Sequence, residues 1–169
     1  MFPCFHFFAT PQRLSAPFAQ ADALVLVAND KTDESINYSK PLALQLWLLG
    51  YEMPGTVFVF AKNQITVLAS AKKKALLAQL GASGGGCELQ VITINKEDKN
   101  AVNFAQLIDN ARGAGRRVGL VTYKTVEGEQ ATSFVAALRA APGLEVVDPT
   151  LGLAESWAVK DEKVRRQLR

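Results

Sequence analysis

The residues with the clearest chemical potential are a serine and three lysines in the segment Ser70-Ala-Lys72-Lys73-Lys74. A strand is predicted to end here and a helix to begin, so free backbone amides and three ammonium groups would converge. Lysines in a first helical turn oppose the helix dipole by roughly 0.3–1 kcal/mol each, and a bound anion would reverse that effect. The segment therefore predicts an anion- or peptide-binding surface, with a plain solvated surface as the alternative.

Catalytic chemistry has few candidate residues in this sequence. The Ser70–Lys73 spacing also occurs in acylating serine enzymes, but their companion motifs are absent. His6 is the only histidine, and the only cysteines, Cys4 and Cys87, are too far apart to show metal-ligand spacing. The residues therefore predict no catalytic site, no metal site and no cofactor.

A second informative feature is the segment Leu42-Ala-Leu-Gln-Leu-Trp-Leu-Leu49, which predicts a helix with Gln45 as its only polar side chain. A helix on the surface of an isolated domain normally has a polar face. We therefore expect this helix to be covered on both sides, by complete burial in the domain, by the Phe-rich N-terminal segment, by another chain or by a further domain. Trp47 and the adjacent Tyr51 are the candidate interface residues.

Composition and charge define the class of protein. The 169 residues are 49% apolar, which is typical of one globular domain and excludes a disordered chain. The pI near 8.9 suggests nucleic-acid binding, but five basic and two acidic residues lie between Lys160 and Arg169, leaving 14 of each sign elsewhere. A neutral body predicts no direct sequence-specific DNA binding, and a stand-alone nucleic-acid binder is the weakest interpretation. No segment approaches the ~18 apolar residues of a membrane span.

Strands and helices are predicted to alternate along the chain. Lys62-Asn63 is typical of a hairpin turn between two of the strands. The pattern predicts an α/β fold with a mixed sheet and helices on both faces. The predicted strands are 23–28, 56–61, 64–69, 88–94, 117–122 and 144–147, and the predicted helices are 42–49, 71–80, 102–112, 129–140 and 151 onward.

The run Tyr38-Ser-Lys-Pro-Leu-Ala-Leu-Gln-Leu-Trp-Leu-Leu-Gly-Tyr-Glu52 resembles the N-terminal region of the large subunit of the FACT histone chaperone. The resemblance covers about residues 21–163 and continues through Thr56-Val-Phe-Val-Phe60, Leu68-Ala-Ser-Ala-Lys-Lys-Lys-Ala75 and Glu155-Ser-Trp-Ala-Val-Lys-Asp-Glu162. It implies the smaller lobe of a "pita-bread", aminopeptidase-like module, with the creatinase N-terminal, ribonuclease-H-like fold.

The resemblance also implies a function. Members of the family have lost peptidase activity and act in the nucleus, on chromosomes, in nucleosome reorganisation during transcription, DNA replication and repair. The implied partners are core histones or histone tails, the other FACT subunit, and replication or transcription proteins. The family's proposed peptide contacts carry over to Ser70 and Lys73 in the matching segment.

The resemblance further implies a domain organisation. Residues 1–20 are expected to form an irregular segment, residues 21–159 the lobe, and residues 160–169 the start of a helix into a second lobe. We therefore expect a piece of a longer protein. The apolar, proline-broken start departs from the charged helix usual in the family. The competing interpretation is the N-terminal lobe of an active creatinase- or aminopeptidase-type metallopeptidase whose metal site lies outside this chain.

Overall fold

A computed structural model describes residues 20–30, 39–49, 51–61, 64–81 and 88–158. Residues 1–19 of the predicted segment 1–20 lie outside the described residues, as does the whole of the predicted segment 160–169. His6, Cys4, Cys87 and the hairpin residues Lys62 and Asn63 also lie outside them. The strands are β1 (Ala23–Val27), β2 (Val57–Phe60), β3 (Gln64–Ala69), β4 (Glu88–Thr93), β5 (Arg117–Val121) and β6 (Glu145–Val147). The helices are α1 (Lys40–Leu49), α2 (Ala71–Gly81), α3 (Ala101–Ala114), α4 (Glu129–Ala140) and α5 (Thr150–Ala158).

The described strands form one six-stranded sheet in the order β4-β3-β2-β1-β5-β6. Strand β2 runs antiparallel to β1 and β3, which confirms the predicted hairpin, and the remaining neighbours are parallel. All strands except β2 therefore end at the same side of the sheet, here called the carboxyl edge. Because β2 runs the other way, it begins at this edge.

Helices cover both faces of the sheet, as predicted. Successive β1 side chains alternate between two apolar clusters, with Leu24 and Leu26 in one and Val25 and Val27 in the other. The first cluster includes Leu44 of α1, Leu77 of α2 and Leu153 of α5. The second includes Leu107 of α3 and Phe134 of α4. The continuous apolar runs of the inner strands thus reflect burial on both faces.

The predicted helix boundaries are close to the observed ones, and the differences have local causes. Helix α1 begins at Lys40 rather than Leu42, and the Ser39 hydroxyl accepts a hydrogen bond from the Leu42 amide at 3.5 Å. The predicted C-terminal helix is described only as far as Ala158. Within the described residues, no helix has the length and apolar character needed to cross a membrane.

In the middle of α1, the polar side chain is buried and an apolar side chain next to it is exposed. Gln45 is fully buried, whereas the adjacent Leu46 is 52% exposed, so complete burial of the helix is wrong for its Leu46 face. The Gln45 amide accepts a hydrogen bond from Met53 N at 2.7 Å and donates to Met53 O at 3.2 Å and to Thr56 Oγ1 at 3.1 Å. Gln45 therefore fastens α1 to the segment that leads into β2.

We predict that Gln45→Leu destabilises the chain by about 2–4 kcal/mol, because it leaves the buried Met53 amide without an acceptor. Leu46→Gln, at the neighbouring exposed position, is the matched control and should change stability by less than about 0.5 kcal/mol. Urea unfolding of the whole chain measures both effects. Equal unfolding midpoints for the two variants would contradict the assigned role of Gln45.

Candidate functional site

Several polar residues that follow the strands lie at the carboxyl edge. In α/β sheets, ligands usually bind beyond the carboxyl ends of the strands. Asn29 and Asp30 follow β1, Ser70 follows β3 and Tyr123 lies just beyond β5. This edge is therefore the candidate functional site, and Ser70 and the three lysines of α2 lie at it.

The turn Met53–Thr56 forms the centre of the edge, and side chains from three helices donate hydrogen bonds to its carbonyl oxygens. The donors are Gln45 of α1 to Met53, Lys73 of α2 to Pro54, and Gln130 of α4 to Gly55. The remaining carbonyl, that of Thr56, accepts from the Ala28 amide at 3.0 Å. Since unpaired buried backbone groups are strongly unfavourable, these donors hold the turn in a single arrangement.

Lys73 is held against the turn rather than directed into solvent. Its Nζ atom donates to the Pro54 carbonyl oxygen, and the residue is half-buried, unlike the exposed Lys72 and Lys74. Burial lowers the pKa of Lys73, and the nearby Asp30 carboxylate acts in the opposite direction. The predicted lysine cluster is thus divided into one lysine bonded to the turn and two lysines free of such a bond.

Ser70 lies at the junction between β3 and α2. The residue is half-buried, and its carbonyl oxygen accepts a hydrogen bond from the Lys74 amide at 2.9 Å in the first turn of the helix. The structure therefore brings Ser70 and the three lysines to one end of α2, as predicted. Their ability to bind an anion or a peptide stays a prediction.

Asn29 is a structural residue of the edge that the sequence reasoning missed. Its side chain donates to Thr125 O at 3.2 Å and accepts from Glu127 N at 3.1 Å, while its carbonyl oxygen accepts from Gly55 N at 2.7 Å. It joins the loop after β5 to the turn before β2. Its position directly after a fully buried strand could have marked this asparagine as structural. The sequence does not show the partners of its side chain, because they lie 96 and 98 positions away.

Gly128 completes this loop for a steric reason. Its φ of +98° is a conformation that other residues rarely adopt, and a Cβ atom there would lie 2.3 Å from Asp30 Oδ2. Asp30 therefore packs directly on the backbone between β5 and α4. This contact fixes the position of the carboxylate that faces Lys73.

The predicted interface residues Trp47 and Tyr51 lie at the end of α1 and just beyond it. Tyr51 is half-buried and packs against the apolar cluster that includes Leu44 and Met53. Trp47 belongs to α1, but its side chain lies outside the described part of the structure. Their role as an interface therefore stays a prediction, with the exposed Leu46 beside them.

Within the part of the chain that the structure describes, there is no group of three or more His, Cys, Asp or Glu side chains that could hold a metal ion. The polar groups of the edge are bonded mainly to backbone atoms of neighbouring loops, as described for Gln45, Asn29 and Lys73. Such bonds define the shape of a surface, and the exposed Lys72 and Lys74 supply charge to it.

Comparisons with known proteins identify the family. Residues 6–152 match the family model described as the FACT complex subunit SPT16 N-terminal lobe domain. The FACT complex subunit SPT16 of Dictyostelium discoideum is 34% identical over 154 residues, which are 88% of this chain and 14% of that protein. The chain therefore spans about one seventh of the length of this relative.

Solved structures agree with the sequence match. The N-terminal domain of FACT complex subunit SPT16 from Eremothecium gossypii superposes with a TM-score of 0.79 at 32% identity, covering 93% of this chain and 39% of that chain. A putative aminopeptidase P from Bacillus anthracis gives a TM-score of 0.55 at 12% identity, covering 95% of this chain and 42% of that one. This second likeness shows only the fold, and it confirms the predicted aminopeptidase-like fold. The chain belongs to the family of FACT complex subunit SPT16 N-terminal lobe domains.

Proposed function

We propose that this chain is a non-catalytic, protein-binding lobe of a FACT-type histone chaperone subunit. It acts in the nucleus, on chromosomes, in nucleosome reorganisation during transcription, DNA replication and repair. The observation that carries the proposal is the family match over residues 6–152. The proposed lobe comprises residues 21–159.

The partners of the lobe are core histones or histone tails, the other FACT subunit, and replication or transcription proteins. The mixed charge of the carboxyl edge supports a protein partner: the exposed Lys72 and Lys74 occur at the same edge as the exposed carboxylates Asp30 and Glu52. A surface that binds the uniformly negative backbone of DNA is normally basic throughout. We therefore infer no direct sequence-specific DNA binding. The proposed function also involves no membrane and no cofactor.

We call the group formed by Ser70, Lys72, Lys73 and Lys74 the Ser70–Lys74 surface, and its lysines have different roles. Lys72 and Lys74 contact carboxylate or carbonyl oxygens of the partner, with Ser70 as a neighbouring hydrogen-bonding group. Lys73 fastens α2, the helix that carries them, to the Met53–Thr56 turn, because its ammonium group is bonded to Pro54 O. This division of roles rests on the difference in burial between Lys73 and its two neighbours.

The alternative function is that of the N-terminal lobe of an active creatinase- or aminopeptidase-type metallopeptidase. The shared fold supports it, but the likeness to a putative aminopeptidase P is at 12% identity, compared with 32% for an SPT16 N-terminal domain. Fold alone does not determine function, and the alternative is therefore the less supported of the two.

The assigned role of Lys73 predicts a difference in stability between neighbouring lysines. Lys73→Met should lower the free energy of unfolding by about 1 kcal/mol, because a partly exposed charged donor is lost from Pro54 O. Lys74→Met, the matched control, should change stability by less than about 0.5 kcal/mol or raise it slightly, since it removes a cation near the helix N-terminus. Thermal unfolding measures both, and equal losses would show that Lys73 has no special contact.

The proposed function predicts that the 169-residue chain binds purified core histones at about 0.15 M salt, a condition that screens loose charge contacts. Lys72→Ala with Lys74→Ala should weaken binding roughly fivefold to tenfold. Arg112→Ala with Arg116→Ala removes the same charge from exposed positions just before β5, at the opposite edge of the sheet, and is the matched control. Binding can be measured by fluorescence anisotropy with labelled histones.

Two results would contradict these proposals separately. Absence of histone binding by the unmodified chain would contradict the proposed function. Equal effects of the two double variants would contradict the site while leaving the function intact.

A further inference from the structure

A second surface lies at the other end of the carboxyl edge. A groove of about 1060 Å³ runs beside the ends of β5 and β6. Strand β6 pairs with β5 only as far as Val147, opposite Gly119, whereas β5 continues to Val121. The groove therefore borders a stretch of β5 that no longer has β6 beside it. Its floor includes the half-buried side chains of Leu120, Val146 and Val147.

The groove is also lined by a buried hydroxyl group that lacks a partner. Tyr123 is 8% exposed, and its hydroxyl oxygen has no hydrogen-bond partner within the described part of the chain. Buried polar groups are normally hydrogen-bonded, so an unpartnered one at a groove indicates a missing ligand. The Ser39 hydroxyl approaches the Tyr123 oxygen without reaching hydrogen-bond geometry. Burial raises the pKa of Tyr123, the hydrogen-bonding approach of the Ser39 side chain lowers it, and the Glu52 carboxylate raises it further. The group is therefore protonated at neutral pH and available as a donor.

The charged residues around the groove favour a negatively charged occupant. Lys40, Lys124 and Arg139 line it and are exposed, and the lining carboxylates are Glu127 and Asp148. Asp148 accepts hydrogen bonds from the Thr150 amide, at 2.9 Å, and from the Thr150 hydroxyl, which also accepts from Lys40 Nζ at 3.1 Å.

The Asp148 carboxylate is thus committed to the start of α5, and Lys40 is bonded to the same threonine. Among the described residues that line the groove, Glu127 is then the one carboxylate left to balance the charges of Lys124 and Arg139. Two cations against one carboxylate leave an uncommitted lining charge of +1, with Glu52 near Tyr123 but outside the lining.

We propose that this groove binds an extended acidic peptide segment of a protein partner. Carboxylates of the segment pair with Lys124 and Arg139, and one oxygen accepts the hydrogen bond that the Tyr123 hydroxyl lacks. Apolar side chains that alternate with the carboxylates pack on Leu120 and Val146, as in other extended peptides bound beside a sheet. The groove is separate from Ser70, because β5 and β3 are three strand spacings apart, about 14 Å.

The size and shape of the groove distinguish a peptide from a small anion. Its volume exceeds that of most small-molecule pockets, and much of its floor is apolar, whereas a lone phosphate needs only a compact polar site. The groove continues from the end of β6, so an extended peptide in it would run along the same line as that strand. The proposal goes beyond the proposed function, since none of its residues belongs to the Ser70–Lys74 surface.

The experiment uses the 169-residue chain and a fluorescein-labelled decapeptide of alternating Glu and Val, with fluorescence anisotropy as the readout. A Lys–Val decapeptide and a single-stranded DNA decamer are the comparison probes. Lys124→Glu with Arg139→Glu reverses the groove charge, and Lys96→Glu with Arg116→Glu makes the same change of net charge elsewhere. Tyr123→Phe removes only the hydroxyl and should leave the melting temperature unchanged or higher, because a buried unpartnered group is lost.

We expect the Glu–Val peptide to bind more tightly than either comparison probe. The groove double variant should weaken that binding at least tenfold, Tyr123→Phe should weaken it about tenfold, and the control double variant should change it less than about threefold. Equal losses of affinity in the two double variants, or equal binding of the DNA decamer, would mean that the net charge of the chain explains the binding. Either result would overturn the proposal. Loss of binding only with Lys72→Glu and Lys74→Glu would assign the peptide to the other surface and also overturn it.

Discussion

The turn Met53–Thr56 depends on hydrogen bonds from side chains that lie far away in the sequence. Gln45, Lys73 and Gln130 reach it from three different helices, and the Asn29 carbonyl accepts from its Gly55 amide. A turn that enters a buried strand cannot leave its carbonyl oxygens unpaired, because each unpaired group would lose its hydration without compensation. The requirement to pair them therefore fixes where α1, α2 and α4 stand at the carboxyl edge.

This arrangement would make the edge a rigid surface in the binding role proposed for it. Helix α2 presents Lys72 and Lys74 to solvent while Lys73, one residue from each, is anchored on Pro54. The same network continues through Asn29 to the loop that ends at Gly128 and places Asp30. Groups held in this way are pre-organised, so less conformational entropy is lost when a partner binds.

The sequence was sufficient to predict the layers of the fold. Strand β1 is a continuous apolar run because both its faces are buried, and the hairpin before β3 appeared as a polar pair between two apolar strands. The three α2 lysines were correctly placed together. Their division into one anchored and two exposed side chains was beyond prediction, since it depends on the Pro54 carbonyl, 19 positions earlier in the chain. Gln45 likewise was predicted only as the one polar side chain of an apolar helix. It is buried because its amide is hydrogen-bonded to Met53 and Thr56, which the sequence does not show.

Hydrogen exchange at the Met53 and Gly55 amides tests the central role of this turn most directly. Both amides donate at 2.7 Å, to Gln45 Oε1 and to Asn29 O respectively. We expect them to exchange within about tenfold of the Ala28 amide in the neighbouring ladder, although they lie in a turn. Exchange at the rate of an unstructured peptide, while the strands stay protected, would contradict the account.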